Sequence, residues 1–256
     1  MTTAHFNLPP PPTGLVFPEI PQIYATAGMW IVVAFVLGYA ARDTFRTRSP
    51  VAALLILGSA LAYLNEPIVD VLGLVYHPRP GQWSALETYG PVPLWGLGIY
   101  IIYFGGLTLA KLRLAERGMS RREFWIGAGA FFVVNLIAEL PLIQAGLYVY
   151  YGEPPLMFMG LPIYWLVVNA SGPLMCVALL LRAPQLFTGW RTSLIVLLPM
   201  TTDAMGSIGA GWPAFTAINT PGASVALKYL GAFGTIGIGL LLMDGLSRLT
   251  CTKVDA

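Results

Sequence analysis

The stretch FFVVNLIAELPLIQAGLYVYY, residues 131–151, decides how the chain is read. It is apolar enough to sit in lipid, yet it carries Asn135, Glu139 and Gln144. An ionised side chain at the centre of a bilayer costs at least about 2.5 kcal/mol on insertion scales, so a carboxylate in such a segment faces a protein interior or a wet cavity. The stretch reads as a membrane-crossing helix, and it raises the question of why an acid lies inside it.

The rest of the chain has the same character. Of its 256 residues, 56% are hydrophobic and only 10% charged, against roughly 25% charged in soluble domains, and the mean hydropathy is +0.70. A spanning helix needs about 20 mainly apolar residues, and seven segments qualify, near 20–41, 51–75, 91–110, 125–149, 160–181, 192–211 and 225–247. The expected fold is therefore all-α: a polytopic bundle of seven transmembrane helices that forms one domain over residues 1–256. Residues 1–19 are expected to be an extended proline-rich tail. Their start, MTTAHFNLPPPPTG, has no basic n-region, so it reads as that tail and not as a cleaved signal peptide. No internal repeat of fixed period is visible.

Orientation follows from the cations. Arg42, Arg46 and Arg48 follow the first segment, and Lys111, Arg113, Arg117, Arg121 and Arg122 lie between the third and fourth. Arg182 and Arg191 flank the link between the fifth and sixth, and Arg248 and Lys253 follow the seventh. All of the 14 Lys and Arg except Arg79 and Lys228 then fall on one side, which by the positive-inside rule puts the N-terminus outside and the C-terminus in the cytoplasm. An integral protein of the cell (plasma) membrane is expected.

The net charge of +2 is this asymmetry. It lacks the aromatic interleaving and base-reading modules of a nucleic-acid footprint, so no nucleic-acid partner is expected. Cys176 and Cys251 fall in the fifth segment and the cytoplasmic tail and should not pair. His5 and His77 are the only histidines and lie far apart in sequence, so no metal-ligand spacing is present and no metal or haem site is expected.

Helix rise places the intramembrane polar groups. The second segment runs outward from Val51, which sets Glu66 roughly 22 Å above the cytoplasmic end at about 1.5 Å per residue, with Asp70 on the same face four positions on. The fourth also runs outward and brings Glu139 to a similar depth, with Asn135 one turn below. The sixth brings Asp203 with Thr201 and Thr202 near the midplane, and the third and fifth bring Tyr100, Tyr103 and Asn169 to the middle zone. Asp244 differs: it lies near the cytoplasmic surface beside Arg248 at i+4, the spacing of an ordinary helical ion pair. A structural reading stands beside each of the others. Glu66 and Asp70 would mark the end of a shorter span, and Asp203 would be held by hydroxyls as helix glue. Glu139 resists this reading, because Leu140, Leu142, Ile143 and Leu147 continue the segment beyond it.

Pro67, Pro141 and Pro173 lie beside three of these polar clusters. Proline deletes a helical hydrogen bond and kinks a span, and irregular backbone at membrane depth is tolerated where it is buried or lines a cavity. The outer connections are long and aromatic: VYHPRPGQWSALETYGPVPLW, YVYYGEPPLMFMGLPIYW and GAGWPAFTAINTPGAS. Their Trp and Tyr fit an interfacial belt, and together they fit the roof of a pocket that opens outward or into the outer leaflet.

Three of these pieces, NEPIVDVLGLVYHPR, PVPLWGLGIYIIYFGGLTLAKLRLAERG and VVNLIAELPLIQAGLYVYYGEPP, resemble the AveC-type spirocyclase family. The likeness runs over roughly residues 62–172. It implies acid–base chemistry on a lipophilic, oxygenated substrate, dehydration and spiroketal closure, without a cofactor. Glu66 and Glu139 are the matched acidic positions, and Asn135 stands where a second acidic or polar group is expected. The size and the acid at the end of the second segment also resemble the integral-membrane terpene cyclases. Members of that family tend to carry a further acid in the last span, where this chain has only Asp244.

The functional expectation is thus a membrane-embedded cyclase or dehydratase, a lyase or isomerase whose partners are a lipophilic small molecule and the surrounding membrane lipids. Such chemistry needs one neutral acid and one ionised base. Glu139 is expected as the acid, with Glu66 or Asp203 as the base. Tyr100, Tyr103 and Asn169 are placed to orient the substrate. Asp70, Asn65, Asn135, Tyr63 and Trp165 complete the expected substrate-binding set. A terpene cyclase that protonates an alkene or epoxide is the neighbouring alternative. A proton-coupled transporter or lipid-binding protein is the alternative of another class, although transporters commonly show internal repeats. A retinal protein wants a lysine in mid span seven, and Lys228 sits at that segment's edge.

Overall fold

The computed structural model describes residues 9–87 and 90–251. The first eight residues of the proline-rich tail, including His5, and Lys253 lie outside the described residues. Among those described, seven helices are long and apolar enough to cross a membrane: Glu19–Thr47, Val51–Gly73, Leu94–Glu116, Arg121–Gln144, Tyr164–Arg182, Gly189–Asn219 and Val225–Thr250, called spans one to seven below. The chain is an apolar helical bundle of the kind that crosses a membrane.

Span five is the centre of the bundle. It packs on spans six and seven, and its crossing with span six is backbone to backbone. A Cβ on Gly206 would lie 2.6 Å from the Gly172 nitrogen. Without lipid-excluded hydrophobic force between helices, such small-residue contacts are what hold transmembrane helices together. This crossing sets the face bearing Asn169 against the face bearing Asp203 and Ser207.

Two interruptions shape the site. Span two breaks into a 3-10 turn at Tyr63–Asn65 and restarts at Glu66 with Pro67 in the first turn, a place where the missing N–H costs nothing. Span three widens into a π-helical segment over Ile101–Leu107, a deviation that re-aims side chains and recurs at functional sites. The break beside Pro67 matches the sequence reading, whereas Pro141 and Pro173 sit inside uninterrupted helices, and the π segment carries no proline at all.

Span ends also differ from expectation for identifiable reasons. Span four ends at Gln144 and not near residue 149, because Gly146 takes φ +74° and closes a Schellman motif, with Gly146 N bonding Ile143 O and Leu147 N bonding Leu142 O. Tyr148 and Tyr150 are thereby released from the helix. Span six continues through residues 212–219, which read as loop in sequence. Pro213 is accommodated there because Thr235 of span seven accepts a 3.0 Å hydrogen bond from Ala214 N.

Among the described residues, the connections between spans two and three and between spans four and five carry three two-stranded ribbons that the all-α expectation omitted. β1 (Val75–Tyr76) pairs antiparallel with β4 (Val149–Tyr150), β2 (Ser84–Glu87) with β3 (Pro91–Pro93), and β5 (Met157–Phe158) with β6 (Leu161–Pro162). The β1–β4 ribbon matters most. Leu74 ends span two in a left-handed conformation, φ 54°, its carbonyl accepts from Tyr151 N at 2.9 Å, and the register Val75↔Tyr150 draws the chain after span two against the chain after span four. At the opposite end of the bundle Asp244 bonds Arg248 at 2.8 Å and also Arg121, the ion pair expected from their spacing.

Candidate functional site

Spans two to six and the β1–β4 ribbon enclose a cavity of about 90 Å³, room for roughly six to nine waters at about 10–15 Å³ each. Counted to the atom surfaces, with its opening, the free space is about 750 Å³. Four carboxylates line it: Glu66 and Asp70 from span two, Glu139 from span four and Asp203 from span six. Tyr100, Tyr103, Asn135, Trp165 and Asn169 line it as well.

Glu139 is 9% exposed, and both of its oxygens are fully engaged. Oε1 accepts from Asn135 Nδ2 and from Asn169 Nδ2 at 3.0 Å. Oε2 accepts from Tyr148 at 2.8 Å and Tyr150 at 3.2 Å. Asn169 also donates to Asn135 Oδ1 at 3.0 Å, which fixes the orientation of the first amide. Four donors converge on a group with about four acceptor positions, and such hydrogen bonds favour the charged form of a carboxyl group against the cost of burying it. Burial, then the charge of Glu139, pushes the Tyr148 and Tyr150 phenols well above their ordinary range, so both remain donors.

Glu66 is held differently. Its Oε2 accepts from Tyr100 at 2.7 Å, and its Oε1 has His77 Nε2 at 3.9 Å. Asp203 accepts from Asn65 Nδ2 at 2.8 Å and Ser207 Oγ at 3.0 Å. Asn65 also donates to the Met200 carbonyl, so its amide bridges the span-two break to span six and orients Asp203 from behind.

Two of the expected substrate-binding residues have other work. Asn65 is the support just described and Tyr63 donates to the Pro93 carbonyl at 2.6 Å; neither lines the cavity. The sequence reading also missed four groups that do line it: His77, Trp95, Tyr148 and Tyr150. His77 stacks against Trp95 and Tyr148, with ring centroids 5.8 and 5.4 Å away, so the ribbon's residues form an aromatic roof. The only sequence signal for them was the aromatic density of the outer connections. The Trp95 and Trp165 indole N–H groups and both ring nitrogens of His77 are buried there without a hydrogen-bond partner. Buried polar groups are nearly always satisfied, so these are candidate recognition groups in the cavity wall.

The arrangement is an apolar and aromatic chamber with one saturated carboxylate on the span-four wall and three further carboxylates, Glu66 and Asp70 on the span-two wall and Asp203 on the span-six wall. No family model matches the chain, and neither a curated protein nor a solved structure matches it.

Proposed function

We propose that the chain is an integral-membrane enzyme that cyclises or dehydrates a lipophilic, oxygenated substrate by proton transfer in the enclosed cavity. The observation that carries this reading is the unequal treatment of two facing carboxylates: Glu139 accepts from four donors and Glu66 from one. Unequal environments are how one site holds an acid and a base together. The hydrogen bonds support Glu139 as the proton acceptor, or as the fixed negative charge beside a cationic intermediate, and Glu66, with its single donor, is the acidic pole in this reading. This reverses the roles expected from the sequence. Asp203, held by Asn65 and Ser207, is a second basic group. Trp95, Trp165 and Tyr148 supply π faces for developing positive charge, and enclosure keeps water from the intermediate.

The resemblance of residues 62–172 to AveC-type spirocyclases supports this choice of chemistry. Asp244, paired with Arg121 and Arg248, does not line the cavity, which counts against the terpene-cyclase alternative with an acid in its last span. The distribution of Lys and Arg supports an external N-terminus, a cytoplasmic C-terminus and residence in the plasma membrane, so that the cavity lies toward the outer leaflet. Glu139→Gln is the test variant. The two phenols can turn to accept from the new amide, so the variant is expected to keep its unfolding temperature and to lose about 10²- to 10⁴-fold in turnover. An active Glu139→Gln variant would overturn the assignment.

A further inference from the structure

His77 has no role in the proton transfer described above, yet it is a buried polar ring in the cavity wall. It is 7% exposed, and neither ring nitrogen has a hydrogen-bond partner. Its Nε2 lies 3.5 Å from Asp70 Oδ2 and 3.9 Å from Glu66 Oε1. One donor atom from each of the three residues fits within a 4.8 Å span. A tetrahedral ion at about 2.0–2.2 Å from nitrogen and oxygen ligands holds them about 3.3–3.6 Å apart, so Asp70 and His77 already stand at ligand spacing, and a small rotation of Glu66 completes the set. Among the described residues no Lys or Arg pairs with Glu66 or Asp70; the imidazole is their one basic neighbour.

We propose that Glu66, Asp70 and His77 bind one divalent transition-metal ion, zinc or a close analogue. The donor set of one imidazole and two carboxylates suits such an ion better than calcium or magnesium, which take oxygen ligands. The i, i+4 spacing of Glu66 and Asp70 puts both on one helix face. The β1–β4 ribbon delivers His77 to them, and the Tyr100 hydroxyl on Glu66 Oε2 is the kind of outer contact that orients a ligating carboxylate. Three protein ligands leave a coordination position open to the cavity. A second cavity of about 470 Å³, bordered by Pro67, Arg79 and Tyr151, shares Asp70 and His77 as a wall with the first, and gives the ion a way in. The site rests on the proposed function at one point only: a bound ion would take over from Glu66 as the electrophilic pole facing Glu139.

The binding experiment needs no substrate. Full-length protein without a histidine tag, in detergent, is stripped with a chelator, equilibrated with Zn²⁺ or Mn²⁺, desalted and analysed for metal by mass spectrometry, with thermal unfolding in parallel. We expect one ion per chain in wild type and in the exposed-site control Glu153→Gln. His77→Ala and Asp70→Asn should bind at least about tenfold more weakly, and metal should raise the unfolding temperature of wild type and not of His77→Ala. Wild type that retains neither ion, or variants that retain as much as wild type, would overturn the site and leave Glu66 as a protic acid. Turnover by metal-free protein together with stoichiometric binding would keep the site and deny it a part in the chemistry.

Discussion

The hydroxyl of Tyr148 donates to Glu139 Oε2 at 2.8 Å from outside the helix that carries Glu139. The contact exists because Gly146 ends span four early and the β1–β4 ribbon folds the following residues back over the bundle. A hydrogen bond to a charged group contributes about 1.5–3 kcal/mol. Tyr148→Phe is therefore expected to lower the unfolding temperature measurably, and Tyr150→Phe, which removes a 3.2 Å contact, to lower it less. Equal and negligible effects would mean that Glu139 is not held as a saturated carboxylate.

The same two phenols carry a pH signature. Burial, with Glu139 adding to it, raises both in the folded protein, while tyrosines of the unfolded chain ionise near about pH 10. Their contribution to stability is therefore complete below that pH and is lost above it as the pH rises toward the folded value. Ultraviolet titration of the folded protein should show no tyrosinate from these residues up to about pH 10, and Tyr148→Phe with Tyr150→Phe should leave that part of the curve unchanged.

The crossing of spans five and six predicts a contrast between two glycines a turn apart. Gly206→Ala pushes a methyl group into the Gly172 backbone and is expected to cost about 1–3 kcal/mol as overpacking. Gly209→Ala meets nothing within 4 Å and should be neutral or stabilising by up to about 1 kcal/mol, since alanine is the better helix former. Thermal unfolding of the two variants in one detergent checks the order.

Orientation is tested with a thiol reagent that does not cross membranes. Glu153, 92% exposed on its side chain, lies in the connection between spans four and five. Glu153→Cys in a Cys251→Ser background should label in intact cells, and Cys251 of the otherwise unchanged chain should label only after the membrane is opened. The reverse pattern would invert the topology.

Much of this was legible in the sequence, and the division has a physical cause. Hydropathy over about 20 residues reports lipid contact directly, which is why seven apolar helices were readable, and helix rise set Glu66, Glu139 and Asp203 at a common level, where all three line one cavity. Asp70, Asn135 and Asn169 followed for the same reason. His77, Trp95, Tyr148 and Tyr150 escaped because strand pairing between two distant connections brings them in, and two-residue strands have no periodicity to read. Asn65 and Tyr63 read as substrate contacts in the sequence because position on a helix gives depth but not the partner a side chain finds. The role proposed for Glu139 rests on the donors around it, which the sequence does not show.

The central claim, that Glu139 takes part in proton transfer on a lipophilic substrate, is tested most directly by mass spectrometry of lipid-soluble compounds that co-purify with wild type and with Glu139→Gln in mild detergent. The account predicts that the variant holds a compound which wild type has converted to an isomer or to a product lighter by one water. The same unchanged compound on both proteins, or none on either, would contradict it and point to binding or transport.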